Sequence, residues 1–128
     1  MTTKVTVRLN EELQIVEQRV EGPLTQDAFA EMMEKTLECA ARLADPGNVR
    51  VLADSRSLGK PAVNVRQTAI GMLRDEKLKR LAVWGADALR RISFRFFAVM
   101  SPFKNKIRGF KERKDALAWL LEEEGQAA

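Results

Sequence analysis

Two short stretches, 49–54 and 81–84, are apolar almost without interruption and are bounded by polar turns. A strand with one wet face alternates apolar with polar residues. A strand that is apolar throughout is covered on both faces, as in a parallel sheet between helices. The residues around these stretches carry the helical period, so the chain is predicted to alternate strand with helix. Residues 4–10 set Val5, Val7 and Leu9 against Lys4, Thr6 and Arg8, a half-buried strand. The turn Asn10-Glu11-Glu12 leads into a second strand over 13–21, which Gly22-Pro23 is expected to end. Thr25 caps a helix to about Ala44, with Asp27 and Glu31 early and Lys35 and Arg42 late. Its apolar face collects Phe29, Met32, Met33, Thr36, Leu37, Ala40 and Leu43.

Beyond the stop Asp45-Pro46-Gly47-Asn48 and the strand over 49–54, a polar loop precedes a helix from Pro61 or Ala62 to Arg74, with Pro61 in its first turn. Helices over 87–100 and 113–124 and a strand over 106–110 complete the order ββαβαβαβα. That order predicts an α/β fold, a mixed and mostly parallel sheet with covering helices and an antiparallel hairpin at one edge. One domain is expected over 1–124, with 125–128 a loose tail.

Residue types exclude a good deal of chemistry. The chain has no histidine and one cysteine, Cys39, so transition-metal sites, Ser-His-Asp triads, Cys-His pairs and internal disulfides are not expected. No metal or cofactor is implied and no constellation of acids and bases suggests an enzyme. Cys39 and the Met32-Met33 pair suit the core. The first residues lack an apolar run of signal-peptide length, and apolar runs in the C-terminal half such as 96–100 are far short of a bilayer span. A cytoplasmic location is the expectation, with a position peripheral to the membrane as its variant.

Several phrases resemble the SpoIIAA-like proteins, relatives of the STAS domain. They are Val51-Leu52-Ala53-Asp54-Ser55-Arg56-Ser57-Leu58, Leu81-Ala82-Val83-Trp84-Gly85, and the closing run from Phe110-Lys111 to Ala116-Leu117-Ala118-Trp119-Leu120. The resemblance implies the fold above and two contrasting uses. Anti-sigma-factor antagonists carry an Asp-Ser-Ser/Thr-like phosphoacceptor at the helix start after the third strand, where this chain has Ala62-Val63-Asn64, without a hydroxyl. A looser branch resembles the CRAL-TRIO lipid carriers in architecture, which implies apolar ligands or membranes.

In open α/β sheets ligands sit beyond the carboxyl ends of the parallel strands. Asp54, Ser55, Arg56, Lys60, Trp84 and Gly85 stand at those ends and form the candidate ligand site. The plainer reading is an Asp54–Arg56 ion pair with Ser57 in a turn, and it takes precedence. Leu58-Gly59-Lys60-Pro61 lacks phosphate-loop spacing.

Charge is uneven: residues 1–64 carry 8 basic and 10 acidic side chains, while 77–114 carry 12 and 2. Within the second stretch Leu89, Ile92, Phe96, Val99 and Met100 share one helical face. Arg90, Arg91, Phe94, Arg95 and Phe97, followed by Phe103 and Lys104, form a basic aromatic face suited to an anionic membrane or a partner. Cover from the loop over 101–105 and self-association are the competing readings. Nucleic acid is disfavoured, because no recognition-helix or RNA-binding pattern occurs. The functional expectation is a non-catalytic STAS-like module that binds an apolar or amphiphilic ligand, such as a lipid, or an anionic membrane surface. The alternative is a protein-interaction module, homodimeric self-association included.

Overall fold

The structure is a computed structural model that describes residues 2–61, 71, 74–85, 87 and 106–122, with Lys60 and Pro61 by backbone alone. Among them are six strands and two long helices: β1 (Lys4–Asn10), β2 (Ile15–Leu24), α1 (Gln26–Ala40), β3 (Val49–Asp54), β4 (Leu58–Pro61), β5 (Leu78–Trp84), β6 (Ile107–Phe110) and α2 (Arg113–Leu120). The sheet runs β1-β2-β3-β5-β6. β1 and β2 pair antiparallel, and β2, β3, β5 and β6 are parallel. The mixed α/β fold expected from the apolar runs is the fold observed.

Strand alternation decides what each face receives. Val16, Val51, Leu81 and Val83 turn to the α1 side, where they meet Ala40 of α1 and Leu43 just beyond it. Val5 and Val20 meet Phe29 and Met32 on the same side. Ile15, Leu52 and Ala82 turn the other way and are sealed by Ala116 and Leu120 of α2. Each buried Val, Leu, Ile, Phe or Met among these contributes about 1.5–3 kcal/mol on burial. One polar pair lies in the α1 interface: Gln18 Nε2 donates to Thr36 Oγ1 (2.9 Å), which donates to the Met32 carbonyl (2.7 Å). Cys39 packs, partly buried, against the same core.

Several boundaries differ from expectation. β2 does not stop at Gly22-Pro23 but runs on to Leu24, because β4 pairs alongside it there. The register shifts between Gly22 and Leu24, the kind of irregularity at which a sheet tolerates proline. β4 occupies the expected polar loop and takes Pro61 as a strand end rather than a helix start. α1 begins as expected, with the Thr25 hydroxyl accepting from Ala28 N (3.1 Å), but ends at Ala40 and leaves Arg42 beyond it. Leu37 falls off the buried stripe and is 60% exposed. α2 ends at Leu120 rather than Glu124, where sheet arginines take up its last carbonyls. The helices expected over 61–74 and 87–100 lie mostly outside the described residues.

Candidate functional site at the strand ends

β2, β3 and β5 deliver Arg19, Asp54 and Trp84 to one level, since Arg19 is the register partner of Asp54 and Asp54 of Trp84. Asp54 opens a tight turn: its Oδ1 accepts from the backbone N–H of Arg56 (3.0 Å), as aspartate commonly does two residues ahead. The Arg56 side chain folds back onto the same carboxylate, Nε to Oδ1 at 3.1 Å and Nη2 to Oδ2 at 2.9 Å. Its guanidinium carbon lies 4.3 Å from the centre of the Trp84 ring, a cation–π stack. Ser55 is 5% exposed, and both its N–H and its hydroxyl donate to the Trp84 carbonyl (3.0 and 2.8 Å). Gly22 N donates to the Ser57 carbonyl (2.9 Å), which ties the turn to β2.

Gly85 follows Trp84 with φ of 79°, a conformation that side-chain-bearing residues rarely adopt. A Cβ there would stand 2.4 Å from Arg56 Cγ, so the arginine stem occupies the space that glycine leaves. Asp54, Ser55, Arg56, Trp84 and Gly85 are therefore brought together as the sequence suggests. Lys60 is placed on β4 by its backbone alone.

Burial pushes the Asp54 carboxyl up, but hydrogen bonds from the Arg56 side chain and backbone, and the charges of Arg56 and Arg19, hold it below its usual value. Asp54 stays ionised, with both oxygens engaged. It is poorly placed to act as a base or to coordinate a ligand, and the Asp54–Arg56 ion pair given precedence in the sequence is the arrangement present. Solvent meets the guanidinium of Arg56, the half-buried Trp84 and the exposed Ser57.

Sequence reasoning missed Arg19, Glu17 and Arg113. Arg19 Nε lies 3.9 Å from Asp54 Oδ2, and Glu17 accepts from Arg113 Nη2 (3.0 Å) and Asn10 Nδ2 (2.9 Å). Charge at 17, 19 and 21 alternating with the buried Val16, Gln18 and Val20 marks the other strand side, and only the register sets it beside Asp54. Arg80, one of the cations in the basic stretch, is 8% exposed and donates to the Trp119 carbonyl (2.5 Å). It therefore adds little to the outer charge. The basic aromatic face of Arg90, Arg91, Phe94, Arg95, Phe97, Phe103 and Lys104 lies outside the described residues.

A depression of about 390 Å³ at the opposite strand ends, among Leu13, Leu43, Asp45 and Arg50, contains none of the expected site residues. No group of three or more metal-ligating side chains occurs among the described residues, and no described helix is long and apolar enough to cross a membrane.

A mostly parallel α/β sheet with an antiparallel edge hairpin, α1 on one face and α2 on the other, is the architecture of the SpoIIAA-like class. The chain belongs to the SpoIIAA-like family, whose model matches residues 15–121. It is similar to an uncharacterized protein of the DUF3478 family with a SpoIIAA-like fold from Shewanella loihica PV-4. That likeness has a TM-score of 0.66 and 19% identity over 92% of this chain and 93% of that one. It is also similar to the anti-sigma factor antagonist SpoIIAA in its unphosphorylated form, with a TM-score of 0.60 and 11% identity over 88% and 92% of the two chains. At these identities the likeness is one of fold. No curated protein sequence matches the chain.

Proposed function

We propose that the protein is a non-catalytic, protein-binding module that works through the surface at the carboxyl ends of its parallel strands. One observation carries this reading: Arg56 is fixed by two hydrogen bonds to a recessed carboxylate and stacked on Trp84, yet its side chain remains 54% exposed. Arginine and tryptophan are enriched among residues that dominate protein interfaces, and a side chain already held in place loses little entropy on binding. The description of one fold relative as an anti-sigma factor antagonist supports a protein partner. The engaged state of Asp54 supports the non-catalytic part. Ser55, with its hydroxyl spent on the Trp84 carbonyl, supports control by something other than phosphate at that residue.

The membrane-binding reading rests on the face from Arg90 to Lys104 and the ligand-binding reading on the same strand ends, so the test includes lipid as an outcome. A photo-reactive residue placed at Ser57, and another at exposed Asn48 at the far end of the strands, are irradiated in the producing cells. The expected result is an adduct with a protein other than this chain from position 57, absent from position 48 and diminished by Arg56→Ala. Adducts that are the same from both positions, or only with lipid or with a second copy, would overturn the proposal.

A further inference from the structure

Among the described residues, α2 covers only half of the sheet face on which it lies. α2 packs over β3, β5 and β6, and the β1–β2 half shows Thr6, Arg8 and Arg19 to solvent. On this half the ion pairs are layered. Arg8 Nη2 (3.2 Å) and Arg113 Nη2 (3.0 Å) both reach Glu17, while Arg19 Nε (3.9 Å) and Arg56 Nη2 (2.9 Å) both reach Asp54. The two carboxylates are recessed, at 14% and 11% exposure, and the four guanidinium side chains stand outward at 41–69%. Each recessed anion thus holds two cations in position, so the outward surface is basic and ordered before any partner arrives. Arg113 sits in the first turn of α2, where the helix dipole disfavours a cation; Glu17 below it compensates.

We infer that this half-sheet is a docking surface for an acidic, extended segment of a protein partner. The inference rests on the protein-binding reading above and extends it from the strand ends onto the β1–β2 face. Charge complementarity identifies the occupant. Arg8, Arg19, Arg56, Arg113 and Lys4 over Glu17, Asp54 and Glu21 leave a net charge of +2, with Arg19 Nη2 also reaching Glu21 Oε1 (3.3 Å) at the outer edge. A polyphosphate or an anionic bilayer presents unbroken negative charge, which the interleaved carboxylates oppose. Among the described residues, those of β1 and β2 exposed on this half are polar or charged, with no apolar side chain to enter a bilayer. An extended segment with an acidic side chain at every second position sets all its carboxylates on one side, spaced about 6–7 Å apart. Each carboxylate can then take the free side of a guanidinium fork.

The probe is a short synthetic peptide alternating glutamate with threonine, titrated at low salt by fluorescence anisotropy. Binding is expected to weaken as salt rises. Arg8→Ser and Arg19→Ser are each expected to weaken it about tenfold, the size of one lost charge-assisted contact. Arg42→Ser, which removes an exposed arginine elsewhere, should change it less than about twofold. Using two separate variants guards against either one failing to fold, which circular dichroism reports. Absence of binding, an equal effect of Arg42→Ser, or tighter binding of heparin or of phosphatidylserine vesicles would overturn the inference. Peptide binding lost with Trp84→Ala but indifferent to Arg8→Ser and Arg19→Ser would sink the sheet-face site while leaving the strand-end reading standing.

Discussion

Gly85 owes its identity to Arg56. With φ of 79° and a Cβ position 2.4 Å from Arg56 Cγ and 3.2 Å from Arg56 N, it leaves alanine neither a comfortable backbone nor space. Gly85→Ala is expected to cost roughly 1–2 kcal/mol for the left-handed backbone alone, and more if the Arg56 stem must leave Trp84. Urea denaturation followed by tryptophan fluorescence, with Trp119→Phe in both parent and variant, checks both effects, and an unchanged midpoint would show that the turn relaxes freely. In the sequence Gly85 reads as a strand terminator, and the clash that requires glycine depends on a residue 29 positions earlier. Ser55 and Ser57 look equivalent in sequence, yet one is buried and bonded and the other exposed. Incubation of the folded protein with kinase is therefore expected to leave Ser55 unmodified by mass spectrometry; stoichiometric phosphate there would mean that the turn opens readily.

Among the elements, α2 depends on arginines that the sheet sends under its C-terminus. Arg50 Nη1 donates to the Leu120 carbonyl and to that of Glu122 (3.2 Å). Arg80 Nη1 donates to the Trp119 carbonyl (2.5 Å), and its guanidinium lies 4.9 Å from the centre of the Trp119 ring. The last carbonyls of a helix lack partners within it, and cations there also complement the dipole. Arg80→Ala removes a buried donor, a ring contact and side-chain volume together, with an expected loss of about 2–4 kcal/mol. Arg42→Ala, exposed and beyond α1, should stay within about 0.5 kcal/mol. Thermal or urea unfolding of the two variants decides, and equal small losses would mean that α2 is held by its apolar face alone. The β2–β4 pairing has a similar local condition: a Cβ on Gly59 would lie 3.0 Å from both Gly22 C and Pro23 N. Gly22-Pro23 read as a stop because nothing local reveals the second strand beside it.

For the molecule as a whole, the two recessed carboxylates link the folded state to pH. Burial raises Glu17, but hydrogen bonds from Asn10 and Arg113 and the charges of Arg113 and Arg8 outweigh it and lower it from 4.5. Asp54 is lowered from 3.8 in the same way. A carboxylate held below its unfolded value contributes stability that is present in full above that value. The contribution is lost as pH falls through the folded one. Stability from these groups should therefore be constant above about pH 5 and decline on acidification below 4.5 and 3.8. Glu17→Gln and Asp54→Asn should be less stable than the parent near neutrality and converge with it in acid, as urea midpoints at several pH values would show. Parallel curves would mean that the ion pairs are fully screened.

Period and composition alone determined the strands over 4–10, 49–54 and 81–84, the start of α1, the antiparallel opening hairpin and the parallel sheet. Each follows from which residues must leave water, a property carried by residue type and spacing of two or 3.6. They also set Asp54, Arg56 and Trp84 at strand ends, because those positions follow the apolar runs. Only the tertiary structure decided which charges face outward. Arg80 and Arg19 are both strand cations, but α2 covers the first and not the second, and that difference depends on how far an eight-residue helix reaches across the sheet. Register likewise decided that Asp54 is held between two arginines, since cross-strand neighbours are distant in sequence and a shift of one residue would turn Arg19 to the opposite face.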